Sequence, residues 1–170
     1  MSGFIEDNVF EEEDTQKGKV LAFTVGDNIY GLPIKYVTEI IGVKPATKVP
    51  ATPDYAKGII NLRGRIVPLL DIRIKFGKEE MPYNERTCII VIDVNTMMVG
   101  LIVDKVDDIL KLEKYQITPP PPTGVPGCEN RYIEGISKMG DNKVLLLLDA
   151  ENLLENEEME ISESITANSI

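Results

Sequence analysis

The sequence predicts a mainly β protein: two small five-stranded barrels side by side, sharing a core, with short helices. Three observations predict it. Residues 20–41 return 69 positions later as residues 89–110 without a gap, so that Gly31 falls on Gly100, Leu32 on Leu101, Val37 on Val106 and Ile40 on Ile109. A second block, Tyr55-Ala56-Lys57-Gly58-Ile59, matches Tyr132-Ile133-Glu134-Gly135-Ile136, and Pro68-Leu69-Leu70-Asp71 then falls on Leu146-Leu147-Leu148-Asp149 with one extra residue in the second copy. Finally, short apolar segments recur at regular spacing with Gly and Pro between them, the pattern of barrels and sandwiches. A module of 60 to 70 residues buries too little surface to be stable alone, so the two copies are expected to pack together and unfold as one unit.

In the first copy, Val20 to Val25 alternates, Gly26-Asp27-Asn28 supplies turn chemistry, and Ile29 to Ile34 completes a hairpin. Pro33 lacks an amide donor, which predicts that this second strand lies at a sheet edge there. Tyr36 to Ile41 reads as a third strand, and Pro45, Pro50 and Pro53 mark the loop after it. Gly58 to Leu62 and Arg65 to Leu70 are two strands joined at Arg63-Gly64. Asp71 is positioned to cap a short helical segment, Ile72 to Phe76, which Gly77 ends.

The second copy runs Thr87 to Val94, Met97 to Val103, Asp107 to Leu112, Tyr132 to Met139 and Lys143 to Leu148, with a helix at Ala150 to Leu154. Four consecutive prolines, Pro119 to Pro122, favour polyproline II. The first copy has a Pro-rich loop at the same place, so the run reads as a connection rather than a ligand.

The 170 residues carry 18 basic and 28 acidic side chains, a net charge of -10. Such a chain repels phosphate backbones and anionic lipid, which argues against nucleic acid and against direct membrane insertion or binding. The acidity gathers at the ends. Residues 1–18 are expected to form an acidic, flexible N-terminal tail and residues 155–170 an acidic C-terminal tail, with a helix left open there, around a nearly neutral body. The first barrel copy covers about 19–77 and the second about 87–154, with intertwining of the two left open.

Two cysteines without close spacing and no histidine give neither a disulfide framework nor a metal site, and no cofactor is expected. The absence of histidine also removes the commonest general base. No Ser or Cys sits in a nucleophile setting and no phosphate-binding glycine loop is present. Asp104, Asp107 and Asp108 alternate along a strand and do not converge on a cation. The chain is therefore expected not to be an enzyme.

Where the copies differ, function is expected. After the shared Gly-Ile, the first copy reads Ile60-Asn61-Leu62-Arg63-Gly64-Arg65 and the second Ser137-Lys138-Met139-Gly140-Asp141-Asn142. Asn61 and Gly64 suit a shaped turn, and a guanidinium held there offers a planar, multi-donor head. A solvated hairpin tip is the plain alternative.

The stretch from Gly58 to Arg73, with Asn61-Leu62-Arg63-Gly64 and Pro68-Leu69-Leu70-Asp71, closely resembles the signature of the CheW family of bacterial chemotaxis coupling proteins. The resemblance extends from about Lys19 to Leu154, through Tyr30-Gly31, Val37-Thr38-Glu39-Ile40 and Val99-Gly100-Leu101-Ile102-Val103-Asp104. It implies SH3-like barrels and a non-catalytic adaptor that couples the cytoplasmic tips of transmembrane, methyl-accepting chemotaxis receptors to the CheA histidine kinase, in the cytoplasm. It also implies partner contacts at Arg63, Glu39 and Gly58, with Asn61 and Gly64 shaping the turn. Val37, Ile40, Gly100, Val106 and Ile109 resemble the receptor-facing groove between barrels, although burial in the core is as good an account of the apolar ones. The alternatives are a CheW-like module detached from a larger protein, such as the regulatory domain of CheA or a CheV-type protein, and a small-ligand-binding barrel.

Overall fold

A computed structural model describes residues 17–124, 130–140 and 142–154. The strands are β1 (Lys19–Val25), β2 (Asn28–Pro33), β3 (Val37–Gly42), β4 (Ala56–Leu62) and β5 (Arg65–Asp71), then β6 (Cys88–Val94), β7 (Met97–Val103), β8 (Lys105–Lys111), β9 (Ile117–Thr118), β10 (Ile133–Lys138) and β11 (Val144–Leu148). Helix α1 is Ile72–Lys75 and α2 is Ala150–Leu154, and a 3₁₀ turn at Ile34–Tyr36 precedes β3. Short hairpins dominate because the apolar residues alternate with period two and Gly or Asn stands at the turns that need positive φ, as at Gly26, Asn95 and Gly140.

Neither sheet is made from one repeat alone. One sheet runs β8-β1-β2-β11-β10-β9 and the other β3-β6-β7-β5-β4. The N-terminal hairpin of each copy has crossed into the lobe built by the remaining strands of the other copy. Parallel pairings close the exchange: β2 beside β11, with Tyr30 opposite Leu146, and β5 beside β7, with Leu70 opposite Leu101. These two pairs occupy equivalent places in the duplication. The sixth strand of the larger sheet, β9, is only two residues long and lies in the Pro-rich connection, where no strand was expected.

The exchange explains why β1, β2, β6 and β7 are buried on both faces. Leu21, Phe23 and Val25 of β1 join Ile90, Ile92 and Val94 of β6 in a central cluster between the sheets. The intervening residues face the other way, into the interior of their own lobe: Val20 and Ala22 with Leu145 and Leu147, and Ile89 and Val91 with Val67 and Leu69. A row of aromatic rings, Phe23, Tyr30, Phe76 and Tyr132, threads the central cluster at centroid spacings of 5.6, 5.2 and 5.9 Å.

Two expectations change. The edge expected at Pro33 is confined to the end of the strand, because β2 otherwise lies between β1 and β11. Pro33 itself pairs only with Val20, beyond the last β11 partner at Gly31, so its missing donor interrupts no ladder on that side. Strand β8 begins at Lys105 rather than Asp107, since Phe23 and Thr24 continue the ladder to Val106 and Lys105 across a bulge. The predicted Asp71 cap forms, and Asp149 makes an equivalent one. Asp71 accepts from the Ile74 amide at 3.3 Å and Asp149 from the Asn152 amide at 3.1 Å, while the backbone amides of the same two aspartates donate to Tyr55 and Tyr132 at 2.7 and 2.8 Å.

Candidate partner-binding site

The divergent stretch is a two-residue hairpin loop. Leu62 pairs with Arg65, and Arg63 and Gly64 between them take φ values of 51° and 86°. Both central residues of such a turn need positive φ, the conformation that matches the right-handed strand twist. Gly64 meets that need freely and Arg63 does so at a cost. The Asn61 side chain supplies the compensation, its Oδ1 accepting from the Gly64 amide at 2.8 Å.

The Arg63 guanidinium turns back onto Oε1 of Glu39, an ion pair with the arginine side chain 73% exposed. Glu39 belongs to β3, at the opposite edge of the sheet from β4. That contact is possible only because the sheet curls until its edges meet. Mutual backbone hydrogen bonds between Thr47, in the loop after β3, and Ile59 of β4, at 2.9 and 2.8 Å, close the same seam. Gly58 sits at this seam with φ 130°, and a Cβ there would stand 2.4 Å from the Thr47 carbonyl oxygen. Its role is close backbone approach, and it is buried.

A bulge gives β3 and β8 an equivalent kink. In β3 the register shifts between Val37 and Glu39, and in β8 it shifts at Asp107. Val37 and Val106 therefore pack on the central cluster, while Ile41 and Leu110 further along pack inside their lobes. With period-two alternation, Ile40 emerges on the Val37 side and Ile109 on the Val106 side, 44% and 53% exposed. Each lobe thus presents one apolar pair on an edge strand.

Of the expected site residues, Arg63, Glu39, Asn61, Gly64 and Gly58 gather at one rim of the five-stranded lobe. Val37 and Ile40 share its edge strand β3, and Val106 and Ile109 lie on the edge strand of the other lobe. Gly100 is buried in mid-sheet, where a Cβ would meet Leu69 Cδ2 at 2.6 Å and Ile89 Cγ2 at 2.7 Å, so it belongs to the core rather than to a surface.

A second polar constellation was not anticipated. Arg73, just past the Asp71 cap, forks onto Asp104 with Nη2 to Oδ2 at 2.8 Å and Nε to Oδ1 at 3.1 Å, and Asp104 Oδ2 also accepts from the Gly26 amide at 2.8 Å. Asp104 is the residue at which the chain crosses between sheets, so the fork ties α1 to the β1–β2 turn of the other lobe. Partial burial pushes the Asp104 pKa up, but the Arg73 and Gly26 hydrogen bonds outweigh it and hold the carboxyl below its usual value. Nearby, buried Asp71 accepts from the Tyr83 hydroxyl at 2.8 Å. Burial first, and that bond second, push the tyrosine pKa well up. The only sequence signal for these pairs was two acidic residues at element ends, Asp71 and Asp104, with their partners far along the chain.

Among the described residues no group of Asp, Glu, Cys or His is arranged to hold a metal ion, and no helix is long and apolar enough to cross a membrane. The interior of each lobe is filled by side chains, as in small barrels generally.

A family model described as CheW-like domain matches residues 19–158. The chain is 39% identical over 152 residues to the chemotaxis protein CheW of Klebsiella aerogenes, covering 89% of this chain and 90% of that one. It is 31% identical over 137 residues to that of Helicobacter pylori, covering 81% and 82%. Among solved structures, the scaffolding protein TtCheW from Thermoanaerobacter tengcongensis superposes with a TM-score of 0.71 at 34% identity, over 78% of this chain and 88% of that one.

Proposed function

The chain belongs to the CheW family of chemotaxis scaffold proteins, and from that membership we propose that it is a non-catalytic adaptor joining the cytoplasmic tips of chemoreceptors to the histidine kinase CheA. The observation that carries this reading is the Asn61–Arg65 hairpin. It is where the matching β4–β5 and β10–β11 hairpins diverge most, and it spends an Asn clamp and an ion pair on displaying one exposed arginine. Asn95, Thr96 and Asn142 take the same positive φ at other turns, so it is the exposed guanidinium that points to a partner.

In this reading Arg63 and Glu39 form a polar contact, with Asn61, Gly64 and Gly58 holding its shape. The pairs Val37/Ile40 and Val106/Ile109 are the apolar contacts for a receptor helix, which would lay its apolar face against them. Gly100 acts through packing beneath them. Each contact is modest, about 1,200 to 2,000 Å² or less and roughly micromolar, near -8 kcal/mol. Stable assembly then depends on receptor multivalency.

Mixing purified kinase, receptor cytoplasmic fragments and this chain tests the proposal. Co-purification of receptor with kinase only when the chain is present is the expected result. Equal co-purification without it, or a chain that binds neither partner, would overturn it.

A further inference from the structure

We propose that the end of the six-stranded lobe where the chain enters the fold is a docking site for the chain's own acidic N-terminal segment, residues 4–14. The inference stands independently of the adaptor reading. Two adjoining clefts, of about 250 and 770 Å³, share Lys17, Gly18, Leu112 and Ile117 as walls. Their floor is apolar, with Val20, Ile34, Leu112 and Leu147, and Tyr115 stands at the rim 84% exposed. Around that floor stand Lys17, Lys19, Lys35, Lys111 and Lys114, against Glu113 and Glu134 alone. Among the described residues none of Lys17, Lys19, Lys111 and Lys114 has a carboxylate partner, and Lys35 lies over the Tyr36 ring.

The charge that would answer these lysines is next to them in the chain. All 18 basic residues fall within residues 17–154, whereas Glu6, Asp7, Glu11, Glu12, Glu13 and Asp14 immediately precede Lys17. Phe4, Ile5, Val9 and Phe10 are interleaved with them, an apolar and acidic composition that matches an apolar floor ringed by ammonium groups.

The point of entry is fixed. The Leu112 amide donates to the Gly18 carbonyl at 2.7 Å, and Gly18 takes φ 79° where a Cβ would stand 2.7 Å from the Leu112 oxygen. The chain therefore reaches Lys17 at the cleft wall. At about 3.3 to 3.6 Å per residue, Asp14 stays within roughly 11 Å of Lys17 and Phe10 within roughly 25 Å. A tether that short gives an effective concentration on the order of millimolar, so contacts too weak to hold a free peptide suffice for this one. Occupied in this way, the lysines are withheld from other anionic surfaces at low ionic strength and released as salt screens them.

Zero-length carbodiimide coupling of the full chain, which joins a carboxylate to an amine with loss of water, tests this directly. In the monomeric product, peptide mapping should find amides from Glu11–Asp14 to Lys35, Lys111 or Lys114, reduced at least fivefold at about 1 M salt, where the screening length falls to about 3 Å. The full-length variant E11Q/E12Q/E13Q/D14N should lose them at unchanged thermal stability. Four outcomes would overturn the proposal: coupling only to Lys17 and Lys19, coupling spread evenly over all lysines, coupling to the cleft lysines from Glu155–Glu163 instead, or cleft coupling confined to a cross-linked dimer.

Discussion

The β4–β5 and β10–β11 hairpins hold equivalent positions in the two copies, and almost everything that builds them is shared. Each begins with a bulge, at Lys57 and Glu134, followed by a buried glycine pressed against a neighbouring segment. Each shows an exposed β-branched residue, Ile66 or Val144, and ends in an aspartate that caps a short helix. They part only at the tip. The first closes tightly on Arg63-Gly64, with the guanidinium on Glu39. The second closes from Met139 to Lys143 through an amide-to-carbonyl bond of 2.7 Å. The residue equivalent to Glu39 is Asp108, which accepts from the Ile109 backbone amide instead of reaching across the rim. The features that build a lobe occur twice, and the tip differs between the two sides.

The largest expected effect follows from the strand exchange. A fragment of residues 15–84 keeps β1 to β5 but loses β8, β9, β10 and β11 from one sheet and β6 and β7 from the other. It should show no cooperative thermal transition, whereas the intact chain should melt in one. A sharp, independent melt of the fragment would mean that the repeat, not the exchanged lobe, is the folding unit.

Next in size is a difference between the two pressed glycines. Gly58→Ala must move the Thr47 backbone and hold an alanine at φ 130°, costing about 3 kcal/mol or more. Gly135→Ala meets chiefly Ile117 Cγ2, at 2.3 Å, on a two-residue edge strand that can yield. It should cost about 1 to 2 kcal/mol. Urea unfolding of both variants reads the order directly, and equal losses would remove the distinction.

The smallest effect concerns the crossovers. The second carries Asp104 forked by Arg73, while the equivalent position in the first is Lys35. A carboxyl with a depressed pKa contributes stability above its unfolded value, about 3.9, and loses it as pH falls through the folded value. Asp104→Asn should therefore flatten the loss of stability below about pH 4, by less than about 1 kcal/mol because the group is partly solvated. An unchanged acid limb would show that the fork does not couple to folding.

Much of this was legible in the residues. The duplication's register placed Leu21 with Ile90, Phe23 with Ile92 and Val25 with Val94, and all six meet in one cluster, because equivalent positions on exchanged hairpins face the same pseudo-symmetric interface. The exchange itself was not legible. Period-two alternation identifies a strand and its faces but says nothing of its partner, and the deciding parallel pairs join β2 to β11 and β5 to β7 across long stretches of chain. Pro33 marked the one end of β2 that β11 does not reach, but could not show that the rest of the strand has a neighbour on both sides. Gly100 stood among the groove residues because a glycine kept for packing and one kept for access look alike in sequence. The Arg63 tip stood out because duplication supplies an internal contrast, whereas the Arg73–Asp104 fork has none and passed unseen.

The central claim is that the tip of the first hairpin is kept for a partner and not for the fold. Measuring thermal stability and affinity for kinase and receptor fragments on Arg63→Ala, beside Lys143→Ala at the tip of the other hairpin, tests it most directly. An exposed ion pair contributes about 0 to 1 kcal/mol, so both variants should stay near wild-type stability. Arg63→Ala should lose about 2 kcal/mol of binding, roughly thirtyfold, to at least one partner, while Lys143→Ala binds as wild type. Unchanged affinity of Arg63→Ala for both partners, or a loss of binding no greater than its loss of stability, would contradict the account.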